Sequence, residues 1–379
     1  MSSTKQSIPE FQPVPQMDLS AQYAAIGGEI RDAVTRVLES QQFVLGKEGT
    51  ALEQEIAALC GVRHGIGVAS GTDALILALR AVGVQSGDEV ILPPFTFVAT
   101  GSAVSALGAR PVFADIDPAT FNVTVAEIAK RITKNTRAIV VVHLYGLAAD
   151  MDPIRAAAKQ HGLPVVEDNA QAIGAIYNGR PTGSLGDIAC LSFYPTKNLG
   201  AYGDAGMITT DSPELDARLR TLRNHGQSSR YNSAEPGWNS RLDEIQAAIL
   251  RVKLRHLKEW ERARRANAAR YSESLSGIKA IQTPHVPRDS EHVFHQYTIR
   301  AQRRDELREF LADRKIGNAI YYPVPLHLQP IYATLGHGAG SFPEAEKAAA
   351  EAISLPMFPE LRAEQVERVA SSITEFYGN

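Results

Sequence analysis

Between about residues 65 and 210, short apolar runs alternate with stretches of helical periodicity. The apolar runs are Gly65–Ala69, Glu89–Leu92, Pro111–Ala114, Ala138–Val142, Pro164–Glu167, Ile188–Phe193 and Met207–Thr209, most of them rich in Val and Ile. Strands solvated on one face alternate apolar with polar residues, so unbroken runs predict strands covered on both faces. The segments between them, such as Thr72–Val82, Ala99–Leu107, Val125–Ile132 and Ile154–His161, carry apolar residues at helical spacing. This alternation predicts an α/β fold built on a mixed, mostly parallel sheet flanked by helices. Ligands of such sheets bind outside the carboxyl ends of the strands.

After about residue 240 the pattern changes. Leu242–Tyr271 reads as one long helix, followed by an extended Tyr297–Arg300, a helix around Asp305–Arg314, an extended Ala319–Val324 and a helix around Glu344–Ile353. The expected organisation is an arm over 1–16, a large domain over 17–250, and a linking helix with a smaller α+β domain over 251–379. A chain of 379 residues suits two packed domains better than one small core.

Composition narrows the function. The chain is 44% hydrophobic and 21% charged, with a formal charge of −3, which is no footprint for nucleic acid or an anionic membrane. No apolar run reaches the length of a membrane span. Met1–Gln16 is polar, holds three prolines and lacks the apolar core of a signal peptide, so it reads as a flexible arm and the protein as cytoplasmic. Cys60 and Cys190 lie in apolar surroundings and read as buried free thiols. Neither a CxxC pair nor an HExxH motif suggests a metal. Asn122-Val123-Thr124 matches a glycosylation acceptor and, without a secretion signal, reads as chance.

The candidate chemistry falls at strand ends. Ser70-Gly71-Thr72-Asp73-Ala74 follows one strand and opens a helix. Free N–H groups there, with the Thr72 hydroxyl, could cup a phosphate; an ordinary helix cap is the alternative. Phe97, after the next strand, could stack on a flat ring or serve the core. Asp168 closes the run Pro164–Glu167, and Gln171 is expected one helical turn on. Ser192 lies in the following strand, and Lys197 just beyond Pro195, beside Gly200, Gly203 and Gly206. An acid and a lysine in this arrangement are what a pyridoxal 5′-phosphate (PLP) enzyme needs. The carboxylate keeps the pyridine nitrogen protonated and the amine forms the Schiff base. No GxGxxG opens the first strand–helix unit, which argues against dinucleotide binding.

With these pieces in order, nearly the whole chain, from about residue 16 to 376, resembles the PLP-dependent nucleotide-sugar aminotransferases of the DegT/DnrJ/EryC1/StrS type. The resemblance rests on SGTDAL at 70–75, PPFTFVAT at 93–100, VEDNAQA at 166–172, SFYPTKNLGAYGDAG at 192–206, RNHGQ at 223–227 and NSRLDEIQAAIL at 239–250. It implies the aspartate-aminotransferase fold (fold type I), with Lys197 as the Schiff-base lysine and Asp168 on the pyridine nitrogen. Gln171 would lie by the ring hydroxyl, Gly71, Thr72 and Ser192 would hold the phosphate, and Phe97 would stack on the ring. It also implies a homodimer in which Asn239 reaches the neighbouring subunit's cofactor, the loop Gly226–Gly237 being a plausible reaching arm. L-Glutamate would be the amino donor and a nucleotide-linked keto sugar the acceptor.

The stretches Arg223–Gln227, Arg230-Tyr231 and Tyr321–Pro330 look most like the subgroup that aminates C3 of 3-keto sugars. Tyr231, Arg241, Tyr321, Tyr322 and His327 are the expected substrate residues; a structural loop is the alternative for the Tyr321–His327 segment. In the uronic-acid enzymes a histidine stands where this chain has Tyr321. A tyrosine cannot carry positive charge toward a carboxylate, which favours a dTDP-3-keto-6-deoxyhexose. A UDP-linked 3-keto uronic acid, C4 amination of a 4-keto-6-deoxy sugar, and a non-catalytic PLP-binding sensory protein are the other readings.

Overall fold

The computed structural model describes residues 12–378. Two helices precede the first strand, α1 (Leu19–Ser40) and α2 (Lys47–Cys60). Strands and helices then alternate: β1 (His64–Val68), α3 (Gly71–Ala81), β2 (Glu89–Leu92), α4 (Val98–Ala106), β3 (Arg110–Phe113), α5 (Val125–Ala129), β4 (Thr136–Val142), α6 (Met151–Gln160) and β5 (Val165–Asp168). A small hairpin, β6 (Ile176–Tyr177) and β7 (Arg180–Pro181), leads to β8 (Ile188–Ser192), β9 (Gly206–Thr210) and α7 (Pro213–Leu222). The rest comprises a second hairpin, β10 (Gln227–Ser229) and β11 (Asn232–Ser233), then α8 (Glu244–Leu254), α9 (Leu257–Leu275), β12 (Ile281–Gln282), β13 (Ser290–Glu291), β14 (Tyr297–Ala301), α10 (Arg304–Asp313), α11 (Pro343–Glu351), β15 (Ala352–Leu355) and α12 (Ala363–Gly378).

Seven strands form the main sheet in the order β1-β9-β8-β5-β4-β2-β3. Neighbours from β8 to β3 are parallel, and β9 is antiparallel to both β1 and β8. The mixed, mostly parallel sheet expected from the sequence is present. Alternate residues serve opposite faces: Val90, Val140 and Val166 pack with Leu75 and Leu79 of α3, whereas Ile91, Val141 and Val165 pack with Met151 and Ile154 of α6. Each such side chain taken from water contributes about 1.5–3 kcal/mol, which explains why these strands carry no polar face. Asp168 lies opposite Val142 on one side and Cys190 on the other.

A three-stranded antiparallel sheet, β12-β14-β15, packs with α9, α10 and α12 around Tyr271, Tyr297, Ile299 and Ile373. Here the structure departs from the expected elements. The long helix is two: α8 ends at Leu254 and α9 starts at Leu257. At the break His256 stacks on Trp260 and Arg255 pairs with Glu29 of α1. The turn lets α8 pack on α1 and α2 while α9 packs on α12. The helix expected to run to Ile353 stops at Glu351, because Ala352–Leu355 pairs with β14.

The expected arm lies partly outside the described residues. Its described part is not loose: Val14 is buried, its N–H donates to Lys315 O, and its own carbonyl accepts from Gly317 N–H at 2.7 Å. Cys60 and Cys190 are buried free thiols, and burial pushes Cys60 up to about 12. Asn122 of the glycosylation-like triplet is buried, its amide spent on Leu147 O and Leu144 N–H. Among the described residues no helix is long and apolar enough to cross a membrane.

Candidate active site

The carboxyl ends of β1, β2, β4, β5 and β8, with the start of antiparallel β9, open on one edge of the main sheet. Asp168 is the last residue of β5 and is buried. Its Oδ2 accepts from the Thr100 hydroxyl at 2.7 Å and its Oδ1 from Ala170 N–H at 3.2 Å. Thr100 Oγ1 lies 3.0 Å from Thr96 Oγ1, so Thr96 donates to Thr100, whose own proton goes to the carboxylate. Burial raises the Asp168 pKa; Thr100, Ala170 N–H and Lys197 work against that rise. The neighbouring Glu167 points to the other side. It accepts from the N–H groups of Gly183, Leu185 and Gly186 and from His143 Nε2 at 2.8 Å. His143 Nδ1 accepts from Ala149 N–H, which places the ring proton on Nε2.

Lys197 lies in the loop between β8 and β9, its backbone N–H bonded to Tyr194 O at 2.8 Å. Burial pulls its amine down to about 8, opposed by the nearby Asp168 charge. Each residue acts on the other's ionisation, so the structure brings the acid and the amine together. A half-buried amine in its neutral form is a nucleophile and a base near neutral pH. The next residue, Asn198, donates to Val293 O and accepts from His295 Nδ1 at 3.3 Å. Burial, and then the Lys197 charge, hold His295 well below its usual range.

Ser70 caps α3 by accepting from Asp73 N–H at 3.1 Å, leaving the first N–H groups of the helix available. The helix start abuts β8 so closely that a Cβ on Gly71 would lie 2.6 Å from Ser192 Cβ and 3.0 Å from its Oγ. Gly71, Thr72 and Ser192 are therefore one cradle in which only glycine fits at 71. Ordinary cap and anion cup, posed as alternatives by the sequence, coexist: Ser70 does the first and leaves room for the second.

Phe97, 55% exposed, begins α4 and tilts against Tyr322 with ring centroids 6.0 Å apart. Gln171 lies not a helical turn beyond Asp168 but in a series of turns, because β5 runs into a loop. Its Oε1 accepts from Tyr145 N–H at 2.7 Å and its Nε2 donates to the Tyr322 hydroxyl at 3.0 Å. The Tyr145 hydroxyl donates to Tyr321 O. Tyr321 and Tyr322 thus belong to the rim next to Asp168 and Gln171. His327 does not. It is buried, with Nε2 on Glu346 at 3.0 Å and its ring against Phe342, so it holds the loop before α11. Glu346 stands 19 residues later, out of reach of a local reading.

Asn239 is exposed, beside Arg241, Ala69 and Gly203, on a cleft of about 460 Å³. Arg241 donates to Asn224 Oδ1 at 3.1 Å. Tyr231, 84% exposed, is at the tip of the β10–β11 hairpin. The base of this arm is fixed by Glu235 on Arg218 and Arg80, and by a Gly226–Gly237 contact with no room for a Cβ on either. A wider cleft, about 1260 Å³, is elsewhere, under the amino ends of β5 and β8; none of the expected site residues lines it.

Sequence reasoning missed Thr96, Thr100 and Tyr145. The two threonines are four apart inside PPFTFVAT, Thr96 in the bend before α4 and Thr100 in its first turn, but their target ends a distant strand. Replacing Thr100 with Val should remove a hydrogen bond to a charged acceptor, costing about 1.5–3 kcal/mol. On turnover that is about 10- to 100-fold, with Thr100→Ser close to the parent; steady-state kinetics on both variants checks it.

Residues 24–374 match the model of the DegT/DnrJ/EryC1/StrS aminotransferase family. A pleiotropic regulatory protein of Geobacillus stearothermophilus is 52% identical over 96% of this chain and 98% of its own. A UDP-N-acetyl-3-dehydro-alpha-D-glucosamine 3-aminotransferase of Acidithiobacillus ferrooxidans is 50% identical, over 95% of this chain and 97% of its own. The dTDP-3-amino-3,4,6-trideoxy-alpha-D-glucose transaminase of Streptomyces venezuelae is 47% identical over 96% of both. Among solved structures, S. venezuelae DesV in complex with a ketimine intermediate superposes with a TM-score of 0.95 at 46% identity, covering 97% of this chain and 99% of that one.

Proposed function

This chain belongs to the DegT/DnrJ/EryC1/StrS aminotransferase family, and on that premise we propose that it moves an amino group from L-glutamate to C3 of a nucleotide-linked 3-keto sugar. Pyridoxal 5′-phosphate is the cofactor of this chemistry, and it supplies an aldehyde that takes up the amine and a ring that accepts electrons. The residues present fit it: a glycine-only cradle with free N–H groups, an exposed aromatic face at Phe97, a buried carboxylate, and an amine with no hydrogen-bond partner on Nζ among the described residues. The observation that carries the reading is the convergence of Asp168 with a Lys197 amine held down at about 8.

In this reading Lys197 holds the cofactor and afterwards carries protons to and from the carbon that gains or loses nitrogen. Asp168, whose carboxylate accepts from Thr100 and Ala170 N–H, would pair with the cofactor's ring nitrogen. Gly71, Thr72 and Ser192 bind the phosphate, and Gln171 with Tyr322 lines the ring's polar edge. Tyr231, Arg241 and Tyr321 contact the sugar nucleotide. A homodimer with shared sites, Asn239 of one subunit entering the other's, is supported by the exposure of Asn239 and of the apolar Phe43, Val44, Leu45 and Tyr202 nearby. We take the cytoplasm as its place of work.

Amination at C3 is supported by the names of the Acidithiobacillus and Streptomyces relatives. We take a dTDP-linked 6-deoxy sugar as the substrate, since Tyr321 cannot carry the positive charge that a carboxylate would call for. A UDP-linked sugar is the second reading, supported by the Acidithiobacillus relative. The name of the Geobacillus relative supports a regulator that holds PLP without turnover. One experiment separates them: glutamate is added to the yellow holoenzyme, followed by dTDP- and UDP-linked 3-keto and 4-keto sugars. Bleaching by glutamate and mass gain with nitrogen at C3 of the dTDP sugar are expected. No bleaching supports the regulator, and a product only from a UDP or a 4-keto sugar overturns the substrate assignment.

A further inference from the structure

We propose that Lys253, on the far side of the Lys197 loop, is a positioning residue that holds the backbone carrying the reactive amine. The proposal rests on the PLP reading of Lys197. Lys253 stands on α8 and is fully buried. Its Nζ donates to Gly200 O at 2.7 Å and lies 4.2 Å from the centroid of the Tyr202 ring. Gly200 is three residues beyond Lys197. Two turns earlier on the same helix, Gln246 brackets Tyr202: its Oε1 accepts from Tyr202 N–H at 2.8 Å, and its Nε2 donates to Tyr202 O at 3.3 Å.

Leu199 and Ala201 of the loop are buried against Ala247 and Leu250 of α8, and Ala201 N–H donates to Phe193 O, but Gly200 between them has only its backbone to hold. A Cβ on Gly200 would lie 2.3 Å from Pro195 O, so no side chain is possible there and the carbonyl is the available handle. On the opposite side, Asn198 fixes the loop to Val293 O. The reactive residue is thus held between two clamps, one on the 292–296 segment and one on α8. Helix α8 suits the purpose because it is wedged between α1 and α2, and Glu244 in its first turn binds three N–H groups at the start of α2. A buried ammonium is poorly compensated by one carbonyl and one ring. Methionine would fill the same space without that cost, so packing alone does not account for the lysine. Burial accordingly pulls this amine down to about 8, against the Glu360 charge that faces it.

The test compares three holoenzymes with the parent. Lys253→Met keeps the stem and removes the donor. Gln246→Leu removes the outer bracket. Val252→Ala, whose side chain packs with α1 rather than the loop, measures what general loosening of α8 does. Lys253→Met should weaken PLP binding about tenfold and slow glutamate-driven bleaching about tenfold, with KM for glutamate unchanged. Gln246→Leu should do the same to about threefold, and Val252→Ala should lower Tm while leaving both constants alone. A folded Lys253→Met with parental PLP affinity and bleaching rate overturns the proposal. Equal losses in Val252→Ala also overturn it. If Lys253→Met does not fold, Gln246→Leu decides by the same two readouts. A parent that neither takes up PLP nor bleaches with glutamate overturns the underlying reading instead.

Discussion

Lys197→Ala should lose at least about a thousandfold in transamination, because in the proposed reading one side chain is both the covalent anchor and the proton carrier. Borohydride should fix PLP to the parent at this residue and leave no covalent label in the variant. The parent's amine also predicts a pH signature. Only the neutral amine attacks an aldehyde, and burial has lowered this one from 10.5 to about 8. The rate of PLP capture by the apoprotein should therefore climb as the pH passes through about 8, not 10.5. A climb at the higher value would place Lys197 in water and remove the basis for its role.

Asp168→Asn should separate activity from stability. Turnover should fall by at least about a thousandfold, since an uncharged amide cannot hold the ring nitrogen protonated. The apoprotein should nevertheless melt no lower than the parent at neutral pH. Burial raises the Asp168 pKa. A carboxyl whose pKa rises on folding binds its proton more tightly in the folded state. Its contribution to stability is present at low pH and is lost as the pH climbs through that raised value. At neutral pH the charge therefore opposes folding, and the amide relieves it, as is common where a site holds a group for chemistry rather than for the fold. Thermal melts of both apoproteins together with glutamate-driven bleaching check the two halves. A Tm well below the parent's would mean that the carboxylate is needed to build the strand end.

Much of the site could be read from the chain because the sheet is covered on both faces. Uninterrupted apolar runs mark its strands, and a polar residue at the end of such a run has few reasons to be there; Asp168, Ser192 and Lys197 stood out on that ground. What escaped depended on contacts between distant segments. Nothing local marks the break at Arg255–His256, which contains neither proline nor glycine and answers to Glu29 on α1. The seating of His327 escaped because its partner Glu346 belongs to a later helix. Thr100 touches Asp168 only because α4 starts beside the end of β5. Helices α1 and α2 are a different omission. Ile26, Ile30, Ala33 and Val37 of α1 are buried at helical spacing and were legible in principle.

The seating of Val14 against Ile316 bears on how the molecule comes into being. Val14 adjoins Ile316, and Gln16 donates to Leu355 O across 339 positions of sequence. The first described segment to leave the ribosome thus has its resting place among residues made near the end of synthesis. Until those emerge, an apolar valine between two prolines has no partner. The main sheet, complete by Thr210, can meanwhile assemble from neighbouring units. Closing a loop of this length costs only slightly more than closing a shorter one. The delay is therefore one of order, with the segment around Val14 among the last to dock.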